Sequence, residues 1–232
     1  MTGTLWELVL ASAVFVLGHF LVSSTALRPV LVGKLGESRF LGLYSLVAIV
    51  TLLWMVMAYN RAPFVELWFA GTGVRHLVGA VMLIAFLLVV GGLTVRNPTL
   101  VGGDKALDEV TSVPGWIKIT RHPMMWGFGL WALSHLAANG DLASVTFFGS
   151  FAILALVGTM LIDRKKEAAL GESWRAFAGQ TSNLPFAAIL SGRTKLTFGE
   201  IGLWRPALGV AVYLAFLFSH EWLFGVWPLA VS

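Results

Sequence analysis

Cysteine is absent from the chain. Its absence excludes disulfides, zinc–thiolate sites, iron–sulfur clusters, covalent c-type haem and cysteine nucleophiles. Charge is scarce too. Asp, Glu, Lys and Arg together make up 12% of the 232 residues, whereas soluble domains carry about 25%. That is too little charge to solvate a globule of this size, so an ordinary cytosolic enzyme, a disordered chain and a disulfide-stapled secreted domain are excluded. In place of charge the chain has apolar side chains. They are 57% of the sequence, and the mean hydropathy is +0.82. The composition implies an all-α integral membrane protein in contact with the lipid bilayer. The net charge of +4 would point to nucleic acid in a soluble protein; here no nucleic-acid partner is expected, and the location of the cations says more than their sum.

A helix crossing a hydrocarbon core of roughly 30 Å needs about 20 mostly apolar residues. Hydropathy places such segments at 5–27, 40–59, 74–94, 123–138, 142–162 and 206–227. Together they predict a bundle of about six transmembrane helices in a single domain spanning 1–232. The first segment lacks a basic leader and is long enough to span, so it is expected to stay in the mature protein. Asn139-Gly140-Asp141 is strong turn chemistry and predicts a tight hairpin between the fourth and fifth spans. Pro123 suits a first helical turn, where a missing N–H costs nothing.

The cations set the expected topology. Fourteen of the sixteen Lys and Arg residues fall in loops one, three and five, leaving Arg61 and Arg75 for loop two and none for loop four. The positive-inside rule then puts the odd loops in the cytoplasm and both termini outside, as in a multi-pass protein of a bacterial inner membrane. Loop five is the longest. Within it, 163–179 mixes Ala168, Ala169, Leu170, Trp174 and Phe177 with charges at near-helical spacing, which predicts an amphipathic helix on the cytoplasmic membrane surface. Pro185 and the apolar run from Phe186 to Leu190 predict a segment dipping into the interface.

Ionisable side chains inside a span are costly and mark functional positions. His19 falls within the first span, His135 within the fourth and His220 in the outer half of the sixth, while His76 and His122 sit at helix starts. Neutral imidazole is tolerated in a membrane and is a good iron ligand. With no thiols and few intramembrane carboxylates, zinc and di-iron carboxylate centres are poorly served. A b-type haem asks the protein for only one or two histidines, and 10 Trp and 16 Phe could wall it. The bland alternative is that each histidine hydrogen-bonds a neighbouring helix. Along their helices His19 and His135 would differ in depth by roughly 10 Å, so His122 and His220 remain alternative ligands.

Three stretches carry a resemblance. They are Gly18-His19 with Ser24 five residues on, the run from Thr120-Arg121-His122-Pro123 through Trp131 to His135, and the run from Ser182-Asn183-Leu184-Pro185-Phe186 to Gly192-Arg193-Thr194-Lys195-Leu196. In order and content they resemble the NnrU family of bacterial membrane proteins and its plant relative, zeta-carotene isomerase. The resemblance implies a polytopic haem-b protein with His19 and His135 as axial ligands, and Ser24, Arg121, His122 and Trp131 in the cofactor's surroundings. It implies one of two roles: nitrite and nitric oxide respiration (denitrification), or redox-gated cis–trans isomerisation of a lipophilic polyene. The ligand would accordingly be nitric oxide or a polyene. The plant enzyme's cysteine, ten residues after the Arg-His-Pro histidine, is replaced here by Ala132, so that alternative ligand is missing.

Two other functions compete. Arg121-His122-Pro123 followed by Glu167, Glu172, Trp174, Phe177 and Pro185 is loosely similar to isoprenylcysteine carboxyl methyltransferases, which would imply S-adenosylmethionine beside Arg121 and His122. The spacing departs from that pattern, and the usual tyrosines after Glu172 are missing. A non-enzymatic assembly factor with a respiratory-complex partner is the third reading.

Overall fold

A computed structural model describes residues 3–25, 27–100, 102–103 and 113–229. Among the described residues the fold is built of ten helices: α1 Leu5–Ser24, α2 Leu27–Leu35, α3 Glu37–Arg61, α4 Thr72–Leu93, α5 Gly115–Ile119, α6 Pro123–Asn139, α7 Leu142–Gln180, α8 Ala187–Leu190, α9 Phe198–Ile201 and α10 Trp204–Phe224. Five of them, α1, α3, α4, α7 and α10, are long and apolar enough to cross a membrane. The sixth expected span, α6, has 17 residues and therefore rises only about 25 Å.

Local chemistry explains the boundaries. Thr4 caps α1 by accepting from Glu7 N at 3.1 Å. Pro123 occupies the first turn of α6, and Gly140 closes that helix in the left-handed region at φ 69°. Asp141 then caps α7 through Ser144 N at 2.9 Å. The expected hairpin is therefore present. Its turn is also a docking point, because Gly140 O accepts from Leu67 N at 2.8 Å and from Trp68 N at 3.0 Å. Leu142 N in turn donates to Val65 O at 2.9 Å. The α3–α4 connection and the α6–α7 turn thus share one end of the bundle. The starts of α5 and α6, the far end of α7, α8 and α9 share the other. Short as it is, α6 runs the full distance between those ends.

The long helices form a row in the order α3, α1, α7, α6, α4, α10, with α2 against α1 and α3. One core cluster joins Leu8, Ala11 and Phe15 of α1 to Met55 and Ala58 of α3 and to Ala143, Phe147 and Phe148 of α7. At the α4–α6 contact glycine replaces bulk. A Cβ on Gly127 would sit 2.5 Å from Val89 Cγ2 and 2.7 Å from Ala85 O. Outward faces stay apolar, as Leu46, Val47, Ile49, Val50 and Leu53 of α3 show, which suits hydrocarbon as the surrounding solvent.

The expected helix over 163–179 is present as a continuation of the preceding span, and its large apolar side chains meet protein. Helix α7 continues from the span through these residues until Gly171 breaks it at φ 52°, ψ −119°. Ala168 and Ala169 are exposed, while Trp174 and Phe177 are buried against Ile117 of α5. The apolar face of the last turns is covered by protein, so they fold inward. The apolar run from Phe186 onward becomes α8, with Ala188 fully buried and Leu190 85% exposed.

Candidate functional site

At the α5–α6 end, three consecutive residues, Ile119, Thr120 and Arg121, tie the bundle together. Thr120 Oγ1 donates to Asn183 O at 2.6 Å, Arg121 N donates to Ser182 O at 2.8 Å, and Phe186 N donates to Ile119 O at 2.7 Å. The Arg121, His122 and Pro185–Phe186 segments therefore meet. The centre of this cluster is Asp163 of α7. His122 Nε2 lies 2.7 Å from Asp163 Oδ1, Arg121 Nε lies 3.2 Å from Oδ2, and Asn183 Nδ2 donates to Oδ2 at 3.2 Å. Arg121 Nη1 also donates to Thr181 Oγ1 at 3.2 Å. Its guanidinium lies 6.0 Å above the Trp174 ring.

A carboxylate can only accept, so the ring proton of His122 sits on Nε2 and Nδ1 carries a lone pair. Burial holds the imidazole below its ordinary pKa, against the opposing pull of Asp163. His122 is thus a neutral, oriented base. Arg121, expected beside a cofactor, is engaged by Asp163 and Thr181. Asp163 and Asn183 were not among the sequence-derived site residues. The signal for Asp163 was available: it is the carboxylate that ends the apolar run of α7.

The intramembrane histidines share a different feature. His19 Nδ1 bonds Phe15 O at 2.7 Å, His135 Nδ1 bonds Trp131 O at 2.9 Å, and His220 Nδ1 bonds Val226 O at 2.7 Å. A carbonyl accepts, so each Nδ1 is protonated, and in the neutral ring Nε2 is the nitrogen that offers a lone pair. This is how metal-ligating histidines are oriented by their surroundings. Their positions differ. His135 and His220 face each other across α6 and α10, with ring centroids 6.5 Å apart. His135 also stacks on Phe148 at 4.9 Å and contacts Trp131 at 5.1 Å.

His19 is not brought to His135. Helix α7 stands between α1 and α6, and Phe15, Phe151 and Trp131 form a chain of rings with centroid steps of 5.5 and 5.2 Å between the two histidines. His19 instead contacts Tyr44 at 5.7 Å and lines a largely apolar cleft of about 250 Å³ between α1, α2 and α3. Ser24, one turn further on, pairs with Ser23 Oγ at 3.0 Å.

The profile described as NnrU protein matches residues 7–228. The chain belongs to the NnrU family. Over 84 residues it is 38% identical to the chloroplastic 15-cis-zeta-carotene isomerase of Zea mays, and 37% identical to that of Arabidopsis thaliana. Each aligned stretch is 35% of this chain and only 22% of the plant protein. No solved structure matches.

For an NnrU protein the question raised by the resemblance is whether these residues suit a haem. Among the described residues no group of three or more His, Cys, Asp or Glu side chains is placed to hold a bare metal ion. A haem needs fewer. Two imidazoles facing each other across one metal need centroids about 6 Å apart, given metal–nitrogen bonds near 2 Å. The 6.5 Å between the His135 and His220 centroids, with the two rings stacked at an interplanar angle of 25°, is close to that separation, and Trp131 and Phe148 wall His135.

Proposed function

We propose that this NnrU protein is a haem-b-binding inner-membrane protein of the zeta-carotene isomerase type, acting on a lipophilic polyene. One observation carries the reading: three histidines at membrane depth are each oriented through Nδ1 by a backbone carbonyl, which makes Nε2 the lone-pair nitrogen of the neutral ring. In this reading His135 holds the iron. His220 is favoured as its partner by proximity, and His19 is favoured by the family pattern. Bound haem would supply an iron centre able to weaken one double bond of a conjugated chain without net redox change. The chain's own residues do the rest. Trp131 O and Val226 O fix the ring tautomers, and Trp131 and Phe148 pack around His135 and exclude water. The His19 cleft offers an apolar surface suited to a polyene. The density of cations in loops one, three and five supports placing those loops in the cytoplasm.

Visible spectra of purified protein, oxidised and then reduced, test this directly. The wild type should show a Soret band, and His135→Ala should lose haem or turn high-spin. His220→Ala should do the same, whereas His19→Ala should leave the band in place. Bleaching by His19→Ala with no effect of His220→Ala assigns the second ligand to His19. A colourless wild-type protein that binds S-adenosylmethionine refutes the haem reading.

A further inference from the structure

Helices α1, α2 and α3 leave a cleft of about 250 Å³ between them. Its α3 wall is one face of that helix, running from Phe40 through Tyr44 and Val47 to Thr51. That stretch rises about 16 Å, so the cleft is long and narrow. It is also reachable. Leu43 and Val47 line it and are still 51% and 55% exposed, so it opens sideways onto the surface that faces hydrocarbon.

Gly18 belongs to the α1 wall, and a Cβ built there would meet nothing within 4 Å. At Gly127 the missing side chain admits a neighbouring helix; at Gly18 it leaves room for an occupant. An apolar cavity of about 150 Å³ holds the six carbons of benzene. By the same measure this cleft takes about ten carbons, which over its length is a single chain.

The Phe40 end decides what that chain is attached to. The Arg28 guanidinium lies 5.5 Å from the centre of the Phe40 ring. Arg28 Nη2 donates to Glu37 Oε1 at 2.6 Å, which uses one of the five N–H donors, and the side chain is 32% exposed. Lys34 and Arg39 are exposed as well, so residues 27–39 carry three cations against the one carboxylate of Glu37.

We propose that this cleft binds an anionic phospholipid, with one acyl chain lying between α1 and α3 and the phosphate at Arg28. A planar guanidinium suits a phosphate bidentately, and basic pockets between membrane helices recognise acidic head groups. The site stands apart from the His135–His220 pair, neither of which lines it. A polyene reaching His19 has to displace the lipid chain.

The test uses the full chain in mild detergent with a photoactivatable phosphatidylglycerol, its diazirine about ten carbons down one chain. Labelled peptides should map to 15–22 and 40–51. Unlabelled phosphatidylglycerol should compete about tenfold better than phosphatidylcholine with the same chains, and high salt should shrink that difference. Gly18→Leu points into open space and replaces a poor helix former by a good one, so it should fold and lose the label. Arg28→Gln should keep the label and lose most of the preference for the anionic head. Equal competition by the two phospholipids, better competition by myristate than by either, labelling outside the cleft, or undiminished labelling of folded Gly18→Leu overturns the proposal. The peptide map and the competition need neither a variant nor haem, so they decide the matter even where Gly18→Leu fails to fold or the protein is colourless.

Discussion

Asp163→Ala removes the one acceptor that three side chains share. His122 donates to it at 2.7 Å, Asn183 donates at 3.2 Å, and Arg121 pairs with it at 3.2 Å. The three ionisable members are largely withdrawn from water, with side-chain exposures of 0% for His122, 14% for Arg121 and 21% for Asp163. A hydrogen bond to a charged group contributes about 1.5–3 kcal/mol. Stranding one member of a buried ion pair costs about 3–5 kcal/mol. Arg121 keeps Thr181 as a partner, which puts the expected loss near the lower end, about 3 kcal/mol. Asp163→Asn keeps an oxygen for His122 and gives up only the charge, so about 1–2 kcal/mol is expected. Reversible unfolding in mixed micelles, with the folded yield recorded beside it, measures both. Arg121→Ala should lower stability too, and the Arg121→Ala/Asp163→Ala double variant should cost much less than the sum, because both break the same contact. Asp163→Ala within about 0.5 kcal/mol of wild type, the range of an ordinary surface change, or strict additivity in the double variant, would falsify the account of this cluster.

Other outcomes follow from single contacts. Gly127→Leu drives a side chain into Val89 and the Ala85 carbonyl and should cost about 3 kcal/mol or more, read as lost folded protein; normal stability would mean that α4 and α6 are not in close contact. His122 has a folded pKa below its unfolded one, so its contribution is complete above about pH 6.5 and is lost progressively as pH falls from there to the lower folded value. Unfolding at pH 8, 6.5 and 5 should show the decline, and a flat profile contradicts a neutral buried His122. The chain has no native cysteine, so Phe69→Cys and Leu190→Cys, at side chains 79% and 85% exposed, report sidedness cleanly. An impermeant maleimide added to intact cells should label the first and spare the second; the reverse pattern inverts the topology.

Much of this architecture could be read locally. Apolar runs marked the spans, because the membrane's requirement for about 20 apolar residues acts on each segment separately. Pro123 and Asn139-Gly140-Asp141 marked helix ends for the same reason. The extension of α7 beyond its span was not legible, since charges at helical spacing look alike on a membrane surface and on a helix whose apolar face another helix covers. Only the position of Ile117 over Trp174 and Phe177 separates the two.

The lateral order of the helices lay outside the reach of any local pattern. The row is decided by which faces fit, as where Gly127 lets α6 approach Ala85 and Val89 of α4. That order sets α7 between His19 and His135 and brings His220, 85 residues further along the chain, to within 6.5 Å of His135. It also carries Asp163 to Arg121 and His122 across 41 residues of sequence. Hydropathy fixes what each segment dissolves in and spacing fixes what each turn can do. Which side chains meet depends on shape and hydrogen-bond complementarity between distant segments, and those exist only once the helices have packed.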